Sequence, residues 1–559
     1  MSDAELRAVC DGVDGAVLMR HMQEFARWVK LSGTPDELQS LRYVQAELDS
    51  YGFSTDLLLH DAYISLPGRS RVEIDGATPR SITHSFSRSS PPDGVTAEVV
   101  YVGDGSPGDF SGKDVRGRIV LVEGIASPAV AHRASVAGAV GQLHISPHEH
   151  IHEMCVSPVW GSPSEETRRS LPSTVVTTVA YADGVALRDR LSSGTHPRVT
   201  LHAEVDTGWR KTPILVAELD AGSADAEPPF VMFSGHHDTW YYGVMDNGGA
   251  NATMLEVARV CAARRGQWQR GLRLCFWSGH SHGRYSGSAW YADEYWEELE
   301  RRCFAHVNVD STGGVGATVL SNAASMAELA PLASEAVHMQ AAAEYVGRPM
   351  DRSSDQSFWG IGLPSMLGSL SEQPPGPVKL RNKLGWWWHT PEDTLDKIDP
   401  ANLVRDTRVF VHVLWRLLTD RVVPLDYSAW ADKLSGELEG IGKAVGDRMA
   451  LGPLVASAGS VGRAAGALGR VEPTRANRAL MQVSRVLVPP HTGAAGRFAH
   501  DAALPQAPWP AVAALREFAA AAPGSDEALF AAVSARRGRN RLLHALHQAE
   551  RVLQTVLVG

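Results

Sequence analysis

Three short apolar runs, residues 230–234, 272–277 and 303–309, each lead straight into a polar segment bearing glycine with histidine or aspartate. Apolar runs of this length, bounded by turn residues, read as buried strands. A sheet that delivers polar side chains at the ends of successive buried strands is an open α/β arrangement, and its chemistry gathers outside those strand ends. The first run ends in Gly235-His236-His237-Asp238, the second in Gly279-His280-Ser281-His282-Gly283 and the third in Asp310-Ser311-Thr312-Gly313-Gly314. Between the first two, Asp246-Asn247-Gly248-Gly249 precedes Ala250, Met254, Val257, Ala258 and Cys261 at helical spacing, so Asp246 belongs to a strand-to-helix loop. Much later, Trp386-Trp387-Trp388-His389-Thr390-Pro391-Glu392-Asp393 offers a further imidazole beside an aromatic run.

Neutral imidazoles and carboxylates brought together on such loops suit a borderline divalent cation, zinc above all. A carboxylate such as that of Asp246 has two oxygens with which to bridge two cations. His237 is expected to face away from the site, because adjacent strand residues point to opposite sides and His236 takes the inward direction.

In this order the residues resemble the co-catalytic di-zinc peptidases, the family of glutamate carboxypeptidase II, the bacterial zinc aminopeptidases and the non-catalytic transferrin receptor. The resemblance spans nearly the whole chain. That family has a His-x-Asp after a strand, a bridging Asp before a helix, an adjacent Glu pair after the next strand, a further Asp and a late His. His236, Asp246, Asp310 and His389 match the ligand positions, and Asp238 matches the carboxylate that the resemblance implies orients His236. It further implies two divalent metal ions, zinc first among them.

The departure lies at the Glu pair, base and ligand in the family, where His280-Ser281-His282 stands instead. Counting forward from the strand sets His280 over the base, and counting back from Gly287-Ser288 sets His282 over the ligand. We take His282 as the metal ligand and His280 as the proton acceptor. With Asp246 and Asp310 as the only carboxylates on the metals, the site is one unit more positive than the three-carboxylate version, so bound water should ionise more easily. An imidazole can take a proton near neutral pH only while it is not itself bound to metal. A set this rich in imidazole also suits iron, nickel and copper. For the substrate, Trp388 has an indole N–H to donate, Asp355 lies in Ser354-Asp355-Gln356, which resembles a segment lining the family's cleft, and Arg381 is near enough to His389 to meet a carboxylate.

The expected fold class is α/β: a mixed central sheet with helices on both faces, zinc exopeptidase-like. Residues 1–60 and 206–420 would form the discontinuous catalytic domain, with the capped helix that starts at Thr34-Pro35-Asp36-Glu37 as part of it. Residues 61–205, read as short strands and turns plus an alanine-rich helix after Ser127-Pro128, resemble the family's inserted, mainly-β protease-associated domain. Within it His144, His148, His150 and His152 crowd together, either a further metal or substrate contact or a polar loop at the domain edge. Residues 421–559 are helical and resemble the dimerisation domain, which predicts a two-fold homodimer, with core packing within one subunit as the alternative. The stretch 451–470, rich in Gly, Ala and Ser, is expected to be loosely structured.

A net charge of −10 from 53 basic and 63 acidic residues argues against a nucleic-acid partner. No apolar run is long enough to span a membrane, and the polar N-terminus lacks a signal-type core. The five scattered cysteines imply no disulfide framework, so the expected address is the cytoplasm. The leading expectation is a metal-dependent hydrolase of the aminopeptidase or carboxypeptidase type, cutting an amide bond in a short peptide or amino-acid conjugate. The alternatives are a non-catalytic binding protein of the transferrin-receptor type and a metalloenzyme acting on a non-peptide amide, the latter because the Glu pair is missing.

Overall fold

A computed structural model describes residues 2–222, 227–350, 352–368, 370–376 and 383–558. Its strands are β1 (Ser54–Ile74), β2 (Ser81–Thr83), β3 (Val95–Tyr101), β4 (Ile119–Glu123), β5 (Gly141–Ile145), β6 (Val175–Val179), β7 (Arg198–Leu219), β8 (Phe230–His236), β9 (Gly271–Trp277), β10 (Cys303–Asn308) and β11 (Ser365–Met366). They join into one mixed sheet in the order β11-β10-β8-β9-β7-β3-β4-β5-β6-β2, with β1 paired to β7. Strands β11, β10, β8 and β9 are parallel, and β7 closes against β9 antiparallel. β8, β9 and β10 are buried along their whole length, as strands covered on both faces must be. Helices Ala250–Ala262 and Pro400–Thr419 pack over β8, and Asp399 caps the second by accepting from the Ala401 and Asn402 amides.

Two unusually long strands tie the halves of the sheet together. β1 runs antiparallel to β7 from Ser54 opposite Glu218 to Ile74 opposite Val199. One end of β7 pairs with β9 and the other with β3, so a single ribbon leaves the catalytic unit and enters the inserted one. The expected boundaries at 61 and 205 therefore fall inside continuous strands, and the far ends of β1 and β7 form one segment of the sheet together with β2 to β6. That segment has a separate apolar core around Leu121, Leu143, Val175 and Leu201. The expected helix after Ser127 is present as Pro128–Val136, and a further helix, Tyr181–Ser192, joins it beside the parallel strands.

The C-terminal helices share one apolar core with the catalytic sheet. Arg485, on helix Pro473–Thr492, is buried and donates to the carbonyls of Leu299, Glu300, Cys303 and Gly362, which fastens this layer to the start of β10. The expectation of a loose stretch at 451–470 is corrected: Gly452–Gly466 is a helix. Its Leu454, Ala458, Val461 and Ala464 recur at helical spacing and are buried, and the small residues permit close approach. A Cβ on Gly462 would lie 2.9 Å from that of Ala431, and Ser428 donates to the Gly462 carbonyl at 3.0 Å. All five cysteines are buried free thiols. Among the described residues no helix is long and apolar enough to cross a membrane.

Candidate metal centre

His236 closes β8, and its carbonyl is gripped from two sides by the side-chain amides of Asn247 (3.0 Å) and Asn251 (2.7 Å). Its Nδ1 donates to the backbone carbonyl of Asp238 at 2.8 Å, which leaves Nε2 as the nitrogen facing the site. His237 turns the opposite way, as expected, with Nδ1 2.8 Å from Asn251 Oδ1 and its ring edge-on to Phe25.

Asp246 sits in a loop held at both ends. The Asp393 carboxylate accepts from the Met245 amide at 2.9 Å and the Asp246 amide at 3.0 Å. Gly243 has φ +49°, and a Cβ there would lie 2.3 Å from the Asp246 carbonyl oxygen. A Cβ on Gly249 would lie 2.3 Å from the Thr312 carbonyl oxygen. The loop thus needs glycine at both places.

Held in this way, Asp246 offers a different oxygen to each of two imidazoles. Its Oδ1 is 3.2 Å from His236 Nε2, and its Oδ2 is 3.1 Å from His389 Nε2. Asp310 joins the first side, with Oδ1 3.6 Å from His236 Nε2, and Ser354 donates to its other oxygen at 2.6 Å. Two donors about 2.1 Å from one tetrahedral cation are about 3.4 Å apart, so these separations are those of ligand pairs around a shared ion. His236 Nε2 and Asp246 Oδ1 are fully shielded from water and lack an aligned hydrogen-bond partner, which is how cation ligands look when viewed as donors and acceptors. The residues present fit divalent metal.

The electrostatics point the same way. Burial opposes charge on Asp246, but the imidazoles of His236 and His389 outweigh it and hold the carboxyl well below its ordinary range. Burial likewise opposes charge on His236, and the neighbouring carboxylates of Asp246 and Asp310 raise its pKa well above the usual imidazole value. The pocket stabilises positive charge beside these carboxylates.

The two histidines that replace the Glu pair diverge. His280 stacks on His236 with ring centroids 3.7 Å apart, and its Nδ1 is 2.7 Å from Asp355 Oδ2. Ser288 Oγ donates to the other Asp355 oxygen at 2.7 Å. Asp355, read from sequence as a substrate contact, is therefore turned beneath His280. His236, His280 and Asp310 each bring a ligand atom within 4.8 Å of the others. His282 is buried, with Nδ1 3.0 Å from Ser32 Oγ and its ring against Trp240 at 4.3 Å. Trp240 also lies against His389 at 5.3 Å, so His282 flanks the His389 side and His280 the His236 side. Burial lowers the His282 pKa to about 4, which keeps its imidazole neutral.

The Asp238 carboxylate is 3.8 Å from His236 Nδ1. It accepts instead from Ser32 Oγ at 2.6 Å and from the amides of Ser281 (2.9 Å) and His280 (3.2 Å). Its side chain organises the 280–282 turn, while its backbone carbonyl orients His236. Trp388 stacks flat on His389 at 3.5 Å and lines a cleft of about 590 Å³ together with His280, Arg284 and Arg352. Arg381 lies outside the described residues. Lys383 borders the cleft, 3.6 Å from Glu372. Sequence reasoning gave no role to Ser32, Trp240 or Asp393. Asp393 was visible four residues after His389, whereas nothing in the sequence links Ser32 to a carboxylate 206 residues away.

Residues 215–414 match the model of peptidase family M28. The chain is 24% identical over 496 residues to a probable glutamate carboxypeptidase of Zea mays, covering 73% of this chain and 67% of that protein. It is 23% identical over 321 residues to the Mus musculus aminopeptidase NAALADL1, covering 50% and 41%. A zinc aminopeptidase from Bacillus subtilis shares the fold with a TM-score of 0.57 at 18% identity, over 73% of this chain and 96% of that one. Residues 215–414, which carry every ligand candidate from His236 to His389, are the part of the chain that is similar to peptidase family M28.

Proposed function

We propose that the chain is a di-metal hydrolase that cleaves an amide bond of a short peptide or amino-acid conjugate, with zinc as its metal. The observation that carries this reading is Asp246, whose two oxygens face His236 and His389 separately at 3.2 and 3.1 Å. His236, Asp310 and Asp246 would hold one ion; His389, Asp246 and His282 would hold the other. Metal bound there would polarise the substrate carbonyl and acidify a water.

The chain's own residues supply the proton chemistry. Asp355 Oδ2 takes the His280 Nδ1–H, so Nε2 carries the lone pair and accepts the proton of the attacking water. The Asp355 carboxylate, itself held by Ser288, then faces the imidazolium, which delivers its proton to the leaving amine. A histidine–aspartate pair thereby does the work of a glutamate base. The cleft of about 590 Å³ suits a ligand the size of a short peptide, and Trp388 offers it an apolar wall.

The test is a panel of amino-acid amides, dipeptides and N-acyl amino acids assayed with zinc-loaded protein, before and after chelation. Turnover that chelation abolishes, zinc restores and Asp355→Asn lowers is expected. Metal-bound protein that turns over no member of the panel would refute the peptidase reading.

A further inference from the structure

The two imidazoles nearest Asp246 are held by different parts of the chain. His236 stands at the end of a central strand and is oriented by the carbonyl two residues on. His389 has no strand beneath it: it lies in a turn with φ +59°, and its Nδ1 donates to the carbonyl of Glu153 at 2.7 Å. Glu153 belongs to the inserted unit. The contact is reciprocal, because the Glu153 amide donates to the His389 carbonyl at 3.0 Å. One residue earlier, His152 Nδ1 donates to the Trp388 carbonyl.

This strap is fastened at its other end. The Met154 amide donates to His84 Nδ1 at 3.2 Å, and Ser85 and Met154 to Val156 exchange backbone hydrogen bonds at 3.0 Å. His148 completes it. Its Nδ1 accepts from the His150 amide at 3.2 Å, so its proton resides on Nε2, which is 2.8 Å from His152 Nε2. His152, a donor through Nδ1, presents a bare Nε2 and accepts that proton. Every nitrogen of the pair is thereby assigned, and the arrangement excludes a cation between them, since His148 Nε2 has no lone pair to give.

We propose that the inserted unit sets metal affinity on the His389 side of the site alone, His152 and Glu153 positioning the Trp388–His389 turn and His148 fixing the orientation of His152. The inference rests on the two-metal reading above and assigns His148 and His152 as positioning residues. A ligand oriented by a neighbouring unit is lost to the metal when that unit lets go, whereas one oriented by its own strand is not.

The experiment titrates metal-free protein with zinc against a chromophoric chelator, for wild type, His152→Leu, His152→Asn and His148→Ala. Wild type should bind two ions. His152→Leu should weaken one of them roughly 10–100-fold and leave the other unchanged, the usual effect of removing a group that orients a ligand. His152→Asn, whose amide N–H stands where the imidazole Nδ1–H does, should restore it. His148→Ala, at a half-exposed residue, should shift the same ion in the same direction and carries the test if the leucine variant does not fold. Unchanged affinities for both ions, equal weakening of both, or an asparagine variant no better than leucine would overturn the strap while leaving the two-metal reading intact. A third zinc that His148→Ala removes would also overturn it. Fewer than two ions in wild type would refute the two-metal reading, and the strap with it.

Discussion

Glu328 is fully buried, and neither of its carboxylate oxygens has a hydrogen-bond partner. Burial lifts its pKa from 4.5 to about 7, with only its own backbone amide pulling the other way. The folded protein therefore keeps this proton up to about pH 7, while the unfolded chain gives it up near 4.5. Between those values the unfolded chain binds fewer protons, so stability falls as pH rises. The stabilisation is complete below pH 4.5 and is lost as pH passes through the folded value. The gap between 4.5 and about 7 is worth about 3 kcal/mol. Glu328→Gln has no proton to lose. Whatever constant offset the amide introduces, the stability of the variant relative to wild type should climb by about 2.5 kcal/mol from pH 5 to pH 8. Equilibrium urea denaturation at several pH values across this range, followed by tryptophan fluorescence, reads the difference directly. Parallel stability profiles would refute the reasoning, since they would mean that Glu328 is ionised equally in both states.

Gly243→Ala should destabilise the metal-free protein by roughly 1–3 kcal/mol, because overpacking costs that much and the added Cβ meets the Asp246 carbonyl oxygen at 2.3 Å. Urea denaturation checks it, and a loss below 0.5 kcal/mol, on the order of an ordinary surface change, would show that the loop yields. All five cysteines are buried, so native protein should leave a thiol reagent unreacted and denatured protein should expose five thiols. A thiol titrated rapidly in the native state would contradict the packing.

The central sheet was legible because buried parallel strands announce themselves as continuous apolar runs, and because the residues that end them carry the chemistry. Asp246, Asp310 and His389 converge on His236 as the ends of such strands and loops should. The capped helix at Thr34 is present as Pro35–Ser50, although Glu37 turns its carboxylate to the Gly33 amide at 2.7 Å and does not close the box. What escaped was decided by contacts between distant segments. The 280–282 turn could be read in two registers, and distant partners set its conformation, among them the Asp238 carboxylate, bonded to two of its amides. Asp355 looked like a cleft residue because sequence cannot say that a histidine 75 positions away will cover it. The stretch 451–470 looked loose because small residues signal turns locally, yet they also let helices pack closely. The histidines at 148 and 152 could be read as ligands, a substrate contact or a polar loop, and sequence could not show that His152 bonds to the Trp388 carbonyl 236 residues away.

The most direct test of the central claim is the zinc content, by elemental analysis after dialysis, of wild type and of Asp246→Ala. Because one oxygen of Asp246 faces His236 and the other faces His389, two zinc ions per wild-type chain and the loss of both in the variant are expected. Two ions retained without Asp246, or none in the wild type, would contradict it.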